Sequence, residues 1–121
     1  MNRVLDRNIA DRHALQSVVL DSESIAASGT ITHAAEDVEK YSKITALVDT
    51  DQNCTVYVQL SNDGTNFYDI KDLSDNDISF TCNNEKIAIP LSDYTAKYLR
   101  LVIKNNSGST ATVTAVIMAQ V

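Results

Sequence analysis

Apolar and polar residues alternate along this chain almost without interruption from Tyr98 onward. Leu99, Leu101 and Ile103 stand between Tyr98, Arg100 and Lys104. After the polar run Asn105 to Thr110, residues Ala111, Val113, Ala115, Ile117 and Ala119 alternate with Thr112, Thr114 and Gln120. A period of two sends successive side chains to opposite faces of a pleated strand. Two such runs bridged by Asn, Gly and Ser read as one β-hairpin over residues 97–121.

The same pattern recurs upstream. Ile44, Ala46 and Val48 share one face against Lys43 and Thr45, and Cys54, Val56, Val58 and Leu60 share the next. Asp49 to Asn53 is a turn by composition, and Ser61-Asn62-Asp63-Gly64 is the tightest turn, with Asp-Gly supplying a positive φ. Phe67, Tyr68 and Ile70 mark a return strand; Ile78, Phe80 and Cys82 mark another, turned by Asn83-Asn84. Ile87, Ile89 and Leu91 follow in phase, with Pro90 on the opposite phase, where an edge strand tolerates it. Gln16 to Leu20 and Ser24 to Thr32 form shorter strands, and His33 to Glu39 an acidic loop. About eight or nine short strands spaced by ~8–12 residues predict an all-β chain, an antiparallel sandwich of jelly-roll type.

Residues 1–16 fall outside this rhythm, because Val4, Leu5, Ile9 and Leu15 do not alternate. A short helix with Arg7 and Asp11 paired at i,i+4, an extended arm and a frayed terminus are the readings open to them. A purely disordered tail has no use for Val4, Leu5 and Ile9, so the division is an N-terminal arm, 1–16, and a sandwich domain, 17–121.

Composition narrows the function. The chain has 121 residues, no Trp and two Phe, so one domain with a thin core of small residues is expected. Contacts with a partner would add to so modest a core. The net charge is −6, and the arm alone is slightly basic through Arg3, Arg7 and Arg12. An acidic body repels phosphate backbones, which disfavours nucleic acid. Met1 to Arg7 carries charges where a secretion signal needs an apolar run, and no stretch is long enough to span a bilayer. Synthesis in a cytoplasm is the expectation, with no membrane partner.

No reacting group declares itself. His13 lies in the arm and His33 in a polar stretch, and both read as solvated loop histidines, not as members of a triad. Cys54 and Cys82 fall on inward phases, as buried thiols or as a disulfide closed across the sandwich. Their spacing does not suit zinc. Asp72, Asp75 and Asp77 sit in a loop lacking the glycine and distal Glu of a calcium-binding EF-hand, which favours a solvated acidic loop. Neither a catalytic residue, a metal nor a cofactor is assigned. Tyr57, Tyr68, Tyr94 and Tyr98 suit a sugar-stacking platform, a protein interface or ordinary half-buried packing. Val116 and Met118 are more informative: they are apolar on the otherwise polar phase of the last strand, which suggests that something covers them.

The run Val56 to Asp69 (VYVQLSNDGTNFYD) and the run Tyr98 to Gly108 (YLRLVIKNNSG) together resemble small β-sandwich virion proteins of tailed phages, of the capsid decoration or cement type. The likeness covers roughly residues 41–121. It implies a homo-oligomer, a trimer by the family's habit, that binds the major capsid protein on the capsid surface and grips the shell with a terminal arm. Carried onto this chain, it makes Val4, Leu5, Ile9, Val116 and Met118 the apolar contacts, and it pairs Arg3 and Arg7 with acidic groups on the shell. The alternative is a carbohydrate-binding module or a fibre-type adhesin using Tyr57, Tyr68 and the loop acids.

Overall fold

Residues 14–121 are described by the computed structural model. Their inward-facing rows assemble into two antiparallel sheets. The first contains β1 (Ala14–Ile25), β4 (Lys43–Thr50), β8 (Lys86–Pro90) and β10 (Ala111–Gln120), in the order β1-β10-β4-β8. The second is built on β2 (Thr30–Thr32), β5 (Asn53–Ser61), β7 (Ser79–Asn83) and β9 (Tyr98–Asn105), in the order β2-β9-β5-β7. Short β3 (Glu36–Asp37) continues the edge of β9 beyond β2, and β6 (Tyr68–Asp69) continues the edge of β5 beyond β7. Successive strands cross repeatedly from layer to layer, and this order of eight principal strands is a jelly roll.

The core lies between the layers. Leu99, Leu101 and Ile103 of β9 and Val56 and Val58 of β5 face Ala115, Ile117 and Val113 of β10 and Ala46 and Val48 of β4, all buried. Alanines recur on β10, so bulkier residues of the opposite layer fill the space they leave, as close packing of two sheets about 10 Å apart requires. Pro90 lies on β8, which among the described residues is an edge strand pairing only with β4, where the missing N–H removes no interior ladder bond.

Four expectations change. Residues 97–121 are not a hairpin: β9 and β10 belong to different sheets, and residues 106–110 carry the chain across the sandwich as an arch. Alternation fixes which face is buried; it does not choose between a partner beside the strand and one opposite it. Ala14 to Gln16, read with the arm, already pair with Met118 to Gln120 as the start of β1. That strand runs on to Ile25, and its period was hidden by two register shifts and a positive φ at Ser22, whose N–H is satisfied by Thr114 Oγ1 at 3.0 Å.

His33 is not a solvated histidine either. It is buried, and its Nε2 accepts the Leu101 N–H at 2.8 Å, while Nδ1–H donates to the Ala34 carbonyl. On that edge β2 pairs with Val102 to Lys104 and β3 with Tyr98 and Leu99. The imidazole fills the gap between them with the acceptor that the Leu101 amide would otherwise lack. Burial lowers the His33 pKa, partly offset by the Ala34 bond and by Glu36.

Candidate interaction surface

Four strands carry a continuous apolar row across the outer face of the first sheet. In register, Val18 of β1 lies beside Val116 of β10, Val116 beside Leu47 of β4, and Leu47 beside Ala88 of β8. Residues opposite one another in adjacent strands point to the same side of the sheet, so these side chains touch in sequence. Val18 is 54% exposed and Leu47 38%. The next row begins at Gln16 and passes through Met118, which is 41% exposed, to Thr45 and Pro90. A shallow depression of about 400 Å³ lies among Leu47, Ala88, Thr114 and Val116.

The surround is polar. Asp49 and Lys86 pair at 3.4 Å at one end of the patch, and Lys43 borders the other. An outer sheet face normally alternates against the core with polar residues, so an apolar row here is a departure that water disfavours. The patch therefore has an apolar centre and a charged rim.

Val116 and Met118 are brought onto this one face. Arg3, Val4, Leu5, Arg7 and Ile9 lie outside the described residues, as does His13. Sequence reasoning missed Leu47, Val18 and Ala88. Leu47 could have been found, because it breaks the polar phase of Lys43, Thr45 and Asp49 as Val116 breaks its own. Val18 could not, since the register shifts of β1 obscure which phase faces out.

The tyrosines do not converge. Tyr57 and Tyr98 point outward from the second sheet but are separated by the row of Gln59 and Arg100. Tyr68 stands 63% exposed at the margin, and Tyr94 packs partly against the core. Between them runs an ordered polar chain: Arg100 Nε donates to Gln59 Oε1 at 2.7 Å, and Gln59 Nε2 donates to Asp69 Oδ1 at 2.9 Å. The Arg100 guanidinium lies 3.7 Å from the centre of the Phe67 ring.

The loop carboxylates serve their own turns. Asp63 accepts from the Thr65 and Asn66 amides, both at 2.8 Å, and from the Asn66 side chain, which holds its pKa below the ordinary carboxylate range. Asp72 accepts from the Ser74 and Asn76 amides, and its pKa is likewise lowered. Among the described residues, no three His, Cys, Asp or Glu side chains gather as a metal would require.

No family model and no curated protein matches this sequence. Solved structures do. The chain is similar to the PBSX exported protein XepA, with a TM-score of 0.66 at 11% identity over 88% of this chain. It spans 37% of the length of XepA. The PRD1 vertex protein P5 superimposes with a TM-score of 0.51 at 13% identity, over 89% of this chain and 72% of P5. The SPBc2 prophage-derived protein YomS gives 0.50 at 11% identity, over 87% of this chain and 92% of YomS. At such identities it is the fold that is shared, and it is a fold used by phage virion and exported proteins.

Proposed function

We propose that this protein is a non-enzymatic structural protein of a phage particle, a capsid decoration protein that reinforces the head shell. The supporting observation is the apolar row Val18–Val116–Leu47–Ala88, left uncovered by the described residues, on a jelly roll of the kind phage proteins use. The outer face of the first sheet is the contact surface, and the residues that precede β1 extend it as an arm on the major capsid protein. A face of four strands about 15 Å across and about 20 Å long covers roughly 300 Å². Burying it is worth at most about 8 kcal/mol, against about 4–15 kcal/mol for the loss of freedom on association. A single copy therefore binds weakly through this face alone. Firm attachment comes from the arm and from symmetric repetition, in which a homo-oligomer engages several shell subunits together.

Co-sedimentation with shells of the major capsid protein tests this. The full chain is expected to pellet with shells. A chain lacking residues 1–12, and a Leu47→Asp, Val116→Asp double variant that keeps its β-sheet spectrum, are both expected to stay in the supernatant. Undiminished binding by the double variant would refute the assigned face, and undiminished binding by the truncated chain would refute the arm. Native mass measurement is expected to give a trimer.

One observation favours a second reading. The chain Arg100–Gln59–Asp69, held over Phe67 beside exposed Tyr68, presents fixed polar groups and an aromatic margin, as a sugar-binding face would. It requires glycan binding by the isolated monomer, lost in Arg100→Ala. A glycan array without hits eliminates it.

A further inference from the structure

We propose that Cys54 and Cys82 form a dithiol pair that closes to an intramolecular disulfide in an oxidising thiol–disulfide environment. The two cysteines are not opposed across the sandwich. They are direct cross-strand partners in the second sheet, Cys54 on β5 and Cys82 on β7, both fully buried and both free.

The ladder fixes their geometry. The Asn84 N–H donates to the Gln52 carbonyl at 3.1 Å, one step beyond Asn53 and Asn83, which lie opposite each other. Opposed residues that exchange bonds alternate with those that do not, so residues two further along, Cys54 and Cys82, are again a bonded pair. On the other side of β5 the Asn106 N–H donates to the Asn53 carbonyl at 2.9 Å, which confirms that odd residues of β5 bond to β9 and even ones to β7. Bonded antiparallel pairs have Cα atoms about 5.5 Å apart, within the span that disulfides bridge. Both side chains point inward, so their Cβ vectors run side by side. Cβ atoms of a bonded pair lie about 5.5 Å apart, so they must close by about 1–2 Å to bring the sulfurs together.

Access comes from the edge. Among the described residues β7 pairs with β5 alone, has five residues and ends at Asn84 with φ 50°, the features expected of a strand that opens locally. Burial raises both thiol pKa values, and reaction with oxidant consequently waits for that opening. With oxidised glutathione as the oxidant, one protein thiolate attacks its S–S bond and expels a glutathione thiolate. The second protein thiolate then attacks the protein sulfur of the mixed disulfide and expels the other glutathione. Two protein thiols lose two electrons and two protons, and one glutathione disulfide becomes two thiols. A particle protein made under reducing conditions would acquire this bond only after release.

The test uses the full chain with excess oxidised glutathione, followed by acid quench, denaturation, alkylation with iodoacetamide and mass spectrometry. The expected product is lighter than the dithiol protein by two hydrogens, takes no alkyl group and yields a Cys54 peptide joined to a Cys82 peptide. The Cys54→Ser variant is expected to stop at a glutathione adduct on Cys82 or to remain a free thiol. Two alkylated cysteines, stable glutathione adducts on the unsubstituted protein, or bonds between chains would each overturn the proposal.

Discussion

Asn105 is the side chain on which two crossings of the sandwich depend, and replacing it tests whether they do. It is fully buried at the end of β9. Its Nδ2 donates to the carbonyls of Ile25 at 3.1 Å, Ala26 at 3.2 Å and Ser109 at 2.7 Å. Its Oδ1 accepts from the Ser107 N–H at 3.0 Å and the Ser107 hydroxyl at 2.8 Å. One amide thus fastens the β1–β2 connection to the β9–β10 arch. In Asn105→Ala the buried Ile25 carbonyl loses its donor, at about 1–3 kcal/mol. The four partly exposed bonds contribute roughly 0.5 kcal/mol each once water replaces them. A total of about 3–5 kcal/mol is a large share of the 5–15 kcal/mol typical of a domain, and it lowers a urea midpoint by roughly 2 M.

Asn105→Asp keeps the shape but puts an oxygen in place of Nδ2 against three carbonyls. Its carboxyl pKa in the folded protein is raised above the unfolded value, so the native state holds the extra proton. The variant's deficit relative to wild type is therefore greatest at neutral pH and shrinks as pH falls. Urea unfolding of all three proteins between pH 4 and 7 reads this directly. An Asn105→Ala midpoint close to wild type, or an Asn105→Asp profile parallel to it, would refute the reasoning.

Further outcomes follow from the same structure. Because the His33 pKa is lowered in the folded state, its contribution is fully present above the unfolded value of about 6.5 and is lost as pH falls through the folded pKa. His33→Leu should flatten that part of the stability profile and remove about 1–3 kcal/mol at pH 7 by stranding the Leu101 amide, as measured by urea titration. Gly64→Ala, at φ +79° with the Tyr98 ring 3.4 Å from the new Cβ, should lower thermal stability by about 1 kcal/mol. Leu47→Asp alone should leave the unfolding free energy within about 0.5 kcal/mol of wild type, because that side chain lies outside the buried core; a large loss would mean that the row supports the fold itself.

Much of this was legible in the sequence. Strict alternation located β4, β5, β9 and β10 and their buried faces, and the Asp63-Gly64 turn carries the chain from β5 to β6 as read. Partners were not legible, because hairpins and arches have the same period. A clue was present: Thr50 and Asn105 continue inward phases as polar residues. Each is buried at an arch, and Thr50 Oγ1 donates to the Cys82 carbonyl at 2.9 Å across the layers. A polar residue ending an apolar row indicates backbone arriving from elsewhere, but one sequence does not say from where. The interaction face was half legible, since Val116 and Met118 break phase visibly while Val18 hides behind the irregularities of β1.

The shuttling of the chain between layers has a kinetic consequence. Among the described residues, six of the nine connections pass from one sheet to the other, so neither sheet is a contiguous stretch of polypeptide. Almost every pairing joins strands distant in sequence, and early nuclei must close long loops before they gain much contact. Folding should be slow for a chain of this size, on the millisecond-to-second scale of all-β domains. Once formed, the two layers are laced together, and one is not shed while the other survives.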